Sequence, residues 1–288
     1  MTLFLNIAVD GIAYGMILFM ISVGLSVTMG LMRVVNLAHG GFALLGGTFA
    51  HWFGQELGLP FWPAALLAIV ATIAVSLPLE RLIYRRIYGF GDLQQVLATI
   101  GLTFLMIASV NLWQGSSLLS IPLPDSLKQS VDLGFRTLPV HRLVVIAAGL
   151  VSILGLWLLL DRTLFGIRLR AAVDNRGTAS ALGIDTDWIF MAAFGLGAGL
   201  AALGGILGAE ILPIDAYYPV RYMVLFLIVV AVGGMGSISG SFVAALGLGT
   251  LETATRYLVP DYATIVFFTF VIILLALRPQ GLLGKAHA

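Results

Sequence analysis

There is no cysteine in this sequence, which excludes disulfides, thiolate nucleophiles and cysteine-based metal sites. Charge is almost as scarce. Only 10% of the residues are Asp, Glu, Lys or Arg, against roughly 25% in a soluble domain, and the shortage runs along the whole chain. A net charge of +1 gives no electrostatic footprint for nucleic acid. No Gly-x-x-x-x-Gly-Lys-[Ser/Thr] loop occurs. Its nearest approach, Gly281-Leu282-Leu283-Gly284-Lys285, is too short and lacks the hydroxyl, so the chain does not bind nucleotide by a P-loop. Neither a Gly-x-Ser-x-Gly elbow nor a His-Glu-x-x-His pair is present. His51, His141 and His287 are isolated, and no catalytic, cofactor-binding or metal-binding residue is assigned.

What fills the chain instead is apolar. Hydrophobic residues make up 60% and the mean hydropathy is +1.05, which predicts an all-α polytopic membrane bundle. The 34 glycines suit close helix packing in lipid. Met1 to Leu31 is too long and too evenly apolar for a cleaved signal peptide and is expected to remain as a first span. With about 20 apolar residues needed per crossing, spans are predicted at 7–31, 40–53, 62–79, 93–113, 143–160, 188–212, 223–233, 240–253 and 262–277. That count is eight or nine, because the short 40–53 and 223–233 segments are candidates for tilted, broken or re-entrant helices.

Lysine and arginine placement orients the chain. With nine spans, Arg33, Arg81, Arg85, Arg86, Arg162, Arg168, Arg170, Arg176, Arg278 and Lys285 all fall on one side, ten of the 15 basic residues. That side is expected to be the cytoplasm, with the 114–142 connection outside.

One stretch breaks the apolar pattern early. Arg33 to Gly47 inserts Arg33, Asn36 and His39 between two membrane segments and continues through Gly40 and Gly41. Backbone loosened there must find partners within protein or at a water-lined cavity, so the break is either a site for something polar or an ordinary turn. Asn36 and His39 fit capping or hydrogen bonding better than metal binding, since no second ligand lies at suitable spacing. Gly40-Gly41-Phe42 aligns with Gly240-Ser241-Phe242, each after a polar or glycine-rich break, which points to an internal repeat. The most polar stretch, Asp161 to Asp187, reads as one helix over 168–173, a break at Gly177 and a shorter helix over 178–182, all outside the bilayer. Ionisable residues within spans are functional candidates: Asp10, Glu210, and Glu252 with Arg256, whose i, i+4 spacing suits a local ion pair.

Four blocks and the tail carry a family resemblance. They are Asn36-Leu37-Ala38-His39-Gly40, Glu80-Arg81-Leu82-Ile83-Tyr84-Arg85, Gly166 through Asp185, Gly233-Gly234-Met235-Gly236-Ser237-Ile238-Ser239-Gly240, and Arg278-Pro279-Gln280-Gly281-Leu282-Leu283-Gly284. In this order the chain resembles the inner-membrane permease subunits of branched-chain amino-acid ABC importers, of the LivH/LivM type. The resemblance implies a single permease domain over 1–288 in the bacterial inner membrane. It implies a homologous second permease subunit, two cytoplasmic ATPase subunits that hold the ATP and Mg, and a periplasmic substrate-binding protein. It also implies that the 162–187 loop couples to the ATPases through Arg170, Asn175, Ala179, Leu182, Gly183 and Ile184. Arg33, Asn36, His39, Gly40, Gly233, Gly234, Gly236 and Gly240 are then read as structural or hinge positions. Relatives with the same pattern carry urea, short amides or aromatic acids. Ser239 stands where the family often has proline, and the 114–142 loop departs from the pattern. A stand-alone ion-coupled carrier or channel would want mid-span carboxylates, of which the sequence has almost none.

Overall fold

The computed structural model describes residues 2–31, 36–132 and 137–284. Helix α1 (Thr2–Ser26) widens into a π-turn at Val27–Leu31, α2 (His39–His51) does the same at Trp52–Glu56, and α3 (Phe61–Leu79) at Glu80–Tyr84. The chain continues through α4 (Asp92–Gln114), a small antiparallel hairpin of β1 (Ser130–Asp132) and β2 (Thr137–Pro139), and α5 (Val140–Arg162). Two short helices, α6 (Leu164–Asp174) and α7 (Arg176–Ala181), precede α8 (Thr186–Gly208), α9 (Tyr218–Gly233), α10 (Ile238–Leu258) and α11 (Ala263–Leu277). Each of the nine expected membrane segments is helical. Among the described residues six helices are long and apolar enough to cross a membrane, namely Leu3–Met29, Phe61–Ile87, Asp92–Gln114, Val140–Arg162, Thr186–Gly208 and Pro260–Leu277, with Tyr218–Gly233 a shorter apolar helix. The chain is a multi-pass helical membrane protein.

Burial separates centre from periphery. The α1 span is 89% buried and the α8 span 72%, whereas the last span is 11% buried. Helices α1 and α8 cross where Gly24 meets Gly197: a Cβ built on Gly24 would lie 2.6 Å from the Gly197 carbonyl oxygen. Helix α2 packs on α8 by the same device, since a Cβ on Gly46 would sit 2.5 Å from Ala202 Cα. Without a hydrophobic driving force between helices in lipid, such backbone contact supplies the dispersion energy of association. The 13 residues of α2 are short for a span, but nearly all of them are buried in protein rather than exposed to lipid. That explains why a segment interrupted by His39, Gly40 and Gly41 is tolerated.

Two boundaries differ from expectation. The sixth span ends at Gly208 rather than near residue 212, because Ala209 to Leu212 leave the helix in a turn that leads to Pro213. The eighth runs on to Leu258 and so contains Glu252 and Arg256 rather than stopping before the second. At the far end of the bundle from the arginine-rich loops, the 114–139 connection is pinned to the body. His51 Nδ1 bonds the Ser120 carbonyl at 2.6 Å, and Leu119 N–H donates to the Ile214 carbonyl at 2.8 Å.

Candidate functional site

The arginine-rich end brings the 80–85 and 166–185 sequence blocks together. Helix α5 ends at Arg162, and Gly166 admits the sharp return into α6, since a Cβ there would meet the Leu160 carbonyl oxygen. Arg170 holds the same corner, donating to that carbonyl at 2.6 Å with its guanidinium 3.3 Å from Asp161. The break between α6 and α7 falls at Asn175, not at Gly177. Asn175 is extended (φ −153°, ψ 99°), and its side chain accepts the Thr178 N–H at 2.9 Å as an N-cap. Gly177 lies within α7; a capping asparagine decides the boundary more strongly than one helical glycine. The helix closes at Gly183 (φ +83°), with Gly183 N–H on Ser180 and Ile184 N–H on Ala179. Ala179 is buried and Leu182 is 77% exposed, so the turn anchors through one small residue and presents an apolar one outward.

Asp187, just inside α8, ties this loop to α3. Its Oδ1 accepts from Arg176 Nη2 at 2.5 Å, and its Oδ2 pairs with Arg85 of the turn that follows α3. Arg176 also lies over the Phe190 ring, 5.2 Å from its centroid. Glu80 accepts from the Tyr88 hydroxyl at 2.8 Å beside it. Arg85 and Arg176 fall in two of the sequence blocks and Asp187 at the end of the 162–187 loop, but nothing in the sequence gives them a shared partner. Two arginines remote in sequence signalled nothing until the fold brought them together.

Deeper in the bundle, Asn36 and His39 occupy a wholly buried junction. Asn36 Oδ1 accepts from the Tyr84 hydroxyl at 2.8 Å and from Ala38 N–H at 3.1 Å, while His39 Nε2 donates to the Ile21 carbonyl at 3.0 Å. Gly24 leaves room for the imidazole, whose Cε1 a Cβ there would approach to 2.7 Å. The junction therefore ties α1, α2 and the end of α3 together. Gly40 packs against Pro219. Arg33, grouped with these residues on sequence, lies outside the described residues, as does Lys285.

The glycine block forms the α9–α10 turn. Gly234 and Gly236 have φ of +96° and +80°, and a Cβ on Gly240 would collide with the Gly233 carbonyl oxygen. Ser237 caps α10, accepting the Gly240 N–H at 3.0 Å. Ser239, in the first turn of α10, needs no intrahelical N–H bond, so proline or serine fits there equally. The tail folds back on this turn. Leu282 N–H donates to the Val232 carbonyl at 2.7 Å and Leu283 N–H to that of Gly233 at 3.2 Å, satisfying carbonyls that the end of α9 leaves free. The sequence showed the tail as a matching block without showing what it binds.

At the opposite end the charges in and beside the spans are paired, and Glu210 falls in the turn after α8 rather than within a span. Asp10 pairs with Arg142 and accepts from Tyr257, Glu210 Oε2 lies 3.7 Å from His141, and Asp215 pairs with Arg221 at 2.6 Å. Glu252 and Arg256 form the expected i, i+4 pair at 2.7 Å.

The family described as branched-chain amino acid transport system / permease component matches residues 7–277. The high-affinity branched-chain amino acid transport system permease protein LivH of Escherichia coli (strain K12) is 26% identical over 297 residues, covering 98% of this chain and 96% of that protein. The corresponding protein BraD of Pseudomonas aeruginosa is 27% identical over 300 residues, with the same shares covered. The autoinducer 2 import system permease protein LsrC of Salmonella paratyphi B is 32% identical over 161 residues, 51% of this chain and 44% of that protein. No solved structure gives a significant match.

Proposed function

This chain belongs to the branched-chain amino acid transport system permease family, and from that premise we propose that it is the membrane subunit of an ATP-driven importer of branched-chain or related hydrophobic amino acids. The observation that carries the reading is the breadth of the likeness: relatives named for branched-chain amino acid transport align with 98% of the chain. In this reading the chain pairs with a homologous permease and receives substrate from a periplasmic binding protein. Two separate ATPase subunits hydrolyse ATP at the arginine-rich face.

The 162–187 loop supports the coupling role. A helix that exposes Leu182 while Asp187 clamps its base to α3 through Arg85 and Arg176 suits the transfer of a push from a bound partner into two spans at once. Asn36, His39 and the Gly233–Gly240 turn then serve as fixed junctions about which the spans move, with direct substrate contact falling elsewhere. A second reading keeps the same machinery with another small polar solute, and the partial likeness to an autoinducer 2 permease favours it.

The test is co-expression of this chain with a second permease, ATPase subunits and a binding protein of the same transport class from the same organism. Purification as one complex whose ATPase activity rises with a branched-chain amino acid supports the proposal. A chain that purifies alone and transports in liposomes without ATPase subunits sinks it.

A further inference from the structure

A groove runs along α10, walled by the start of α1, by α11 and, at one end, by Val232 of α9 and Leu282 of the tail. Its volume is about 530 Å³. Along α10 the lining positions recur at helical spacing from Val243 to Ala254, a run of about 16 Å at 1.5 Å per residue. Ala244 and Leu248 close the floor and are buried, while Val243 and Phe270 at the rim are exposed. In a chain that spans the membrane such a rim faces hydrocarbon, so the groove opens sideways into the bilayer. Gly247 stands midway along the run, and a Cβ built on it would meet nothing within 4 Å.

The lining chemistry selects the occupant. Thr250 carries the one polar side chain in the wall, and its hydroxyl already donates to the Leu246 and Gly247 carbonyls of its own helix at 2.7 and 2.9 Å. Nothing there can receive the charged ends of an amino acid, whose burial without partners is prohibitive. Spread over its length, the volume makes a channel roughly 6 Å across, too narrow to seat a helix about 10–12 Å wide. The length, in contrast, is about half of the ~30 Å hydrocarbon core, which is the reach of one acyl chain. Beyond the end closed by Val232 and Leu282 stands a cation. The Arg278 N–H donates to the carbonyl of Leu274, a lining residue, at 2.8 Å, which sets Arg278 one turn past the groove. Arg278 is exposed and enters no ion pair among the described residues, and a guanidinium suits a phosphate.

We propose that this groove is a phospholipid site, with one acyl chain lying along α10 across Gly247 and the phosphate held by Arg278. Leu282 also donates its N–H to the Val232 carbonyl at 2.7 Å, so the residues that close the groove are those that clasp the tail to α9. The bound chain therefore braces the tail against the α9–α10 turn.

The full chain, exchanged into lipid-free detergent, is titrated with phosphatidylglycerol carrying a diazirine in one acyl chain, irradiated and digested, and labelled peptides are mapped by mass spectrometry. Label should concentrate on 243–254 and 270–274. Gly247→Leu fills the groove without crowding α10 and replaces glycine by a stronger helix former. It should raise the half-maximal lipid concentration about tenfold or more, as when two or more methylenes lose their burial. Gly155→Leu, the same change at an exposed and open position on α5, should leave labelling as it was. Phe270→Ala, at the exposed rim, and Arg278→Gln should each weaken labelling severalfold, and inorganic phosphate in excess should not compete. The lipid should raise the melting temperature of the unaltered chain and leave that of Gly247→Leu unchanged.

Label spread evenly over the exposed faces of α4, α5 and α11, or undiminished in both Gly247→Leu and Phe270→Ala, overturns the site. So does an equal loss in Gly155→Leu. Displacement by inorganic phosphate would make the ligand a free anion, and an equal thermal gain in Gly247→Leu would remove the brace. Gly247→Cys supplies a single thiol in a chain that has none. A cross-link from it to a second polypeptide in native membranes would show that protein fills the groove, and would overturn the lipid assignment.

Discussion

Arg85 and Arg176 share one carboxylate. Arg176 reaches Asp187 Oδ1 at 2.5 Å from the start of α7, and Arg85 reaches Oδ2 from the turn after α3. The side chains are 40–44% exposed, so the pairs add little to stability and each counts for about 1 kcal/mol at most. Their value lies in geometry, since moving the loop must move both α3 and α8.

Asp187→Asn should therefore leave insertion and assembly intact while loosening coupling. We expect substrate-stimulated ATPase activity to fall severalfold, with the unstimulated rate less affected. Arg176→Gln combined with Asp187→Asn should cost less than the two separate losses together, because one interaction is removed twice. Full additivity in that cycle would contradict the shared-carboxylate account.

Leu182→Asp should abolish substrate stimulation of the ATPase. It places a charge on an apolar side chain that is exposed in this chain and, in the coupling reading, covered by the ATPase. Gly183→Pro should do the same by disrupting the turn, since proline cannot adopt the φ of +83° found there. Membrane insertion should survive both changes, and unchanged stimulation would remove this turn from the coupling route.

Gly281→Ala should lower thermal stability. A Cβ at Gly281 would lie 2.5 Å from Gly234 N, in a residue already at φ +79°, and strain of this kind costs about 1–3 kcal/mol. Thermal unfolding in detergent should begin earlier than in the parent chain, with the tail as the first segment to gain hydrogen exchange. An unchanged melting temperature would mean that the tail clasp contributes nothing to holding the α9–α10 turn.

Tyr84→Phe probes the Asn36 junction. It removes the 2.8 Å donor to Asn36 Oδ1 in a fully buried setting and should destabilise by about 1–3 kcal/mol. The same change should leave leucine affinity of the assembled complex where it was. A selective loss of affinity with stability intact would instead bring this junction into the substrate route.

The long helical segments could be read from the sequence because apolar runs of membrane length have one stable outcome in lipid, whereas the short 40–53 and 223–233 runs left the number of crossings at eight or nine. Glu252 and Arg256 were legible as a pair because i, i+4 spacing is local. The Arg85–Asp187–Arg176 link was not, since its members meet only after α3 and α8 have packed. Nor was the tail's bond to Val232: hydrogen bonds between a turn and a remote stretch of backbone leave no periodicity. The α6–α7 break was misplaced by two residues for a local reason. Asn175 supplies an N-cap, and the capping preference outweighs a glycine that follows it in the first turn.

Most direct for the central claim is leucine uptake by the complete complex in proteoliposomes, with binding protein outside and ATP inside. An ATP-driven importer should accumulate leucine only when ATP, the binding protein and the ATPase subunits are all present, and should lose that accumulation with Leu182→Asp. Accumulation by this chain alone, or undiminished uptake when the ATPase subunits are omitted, would contradict it.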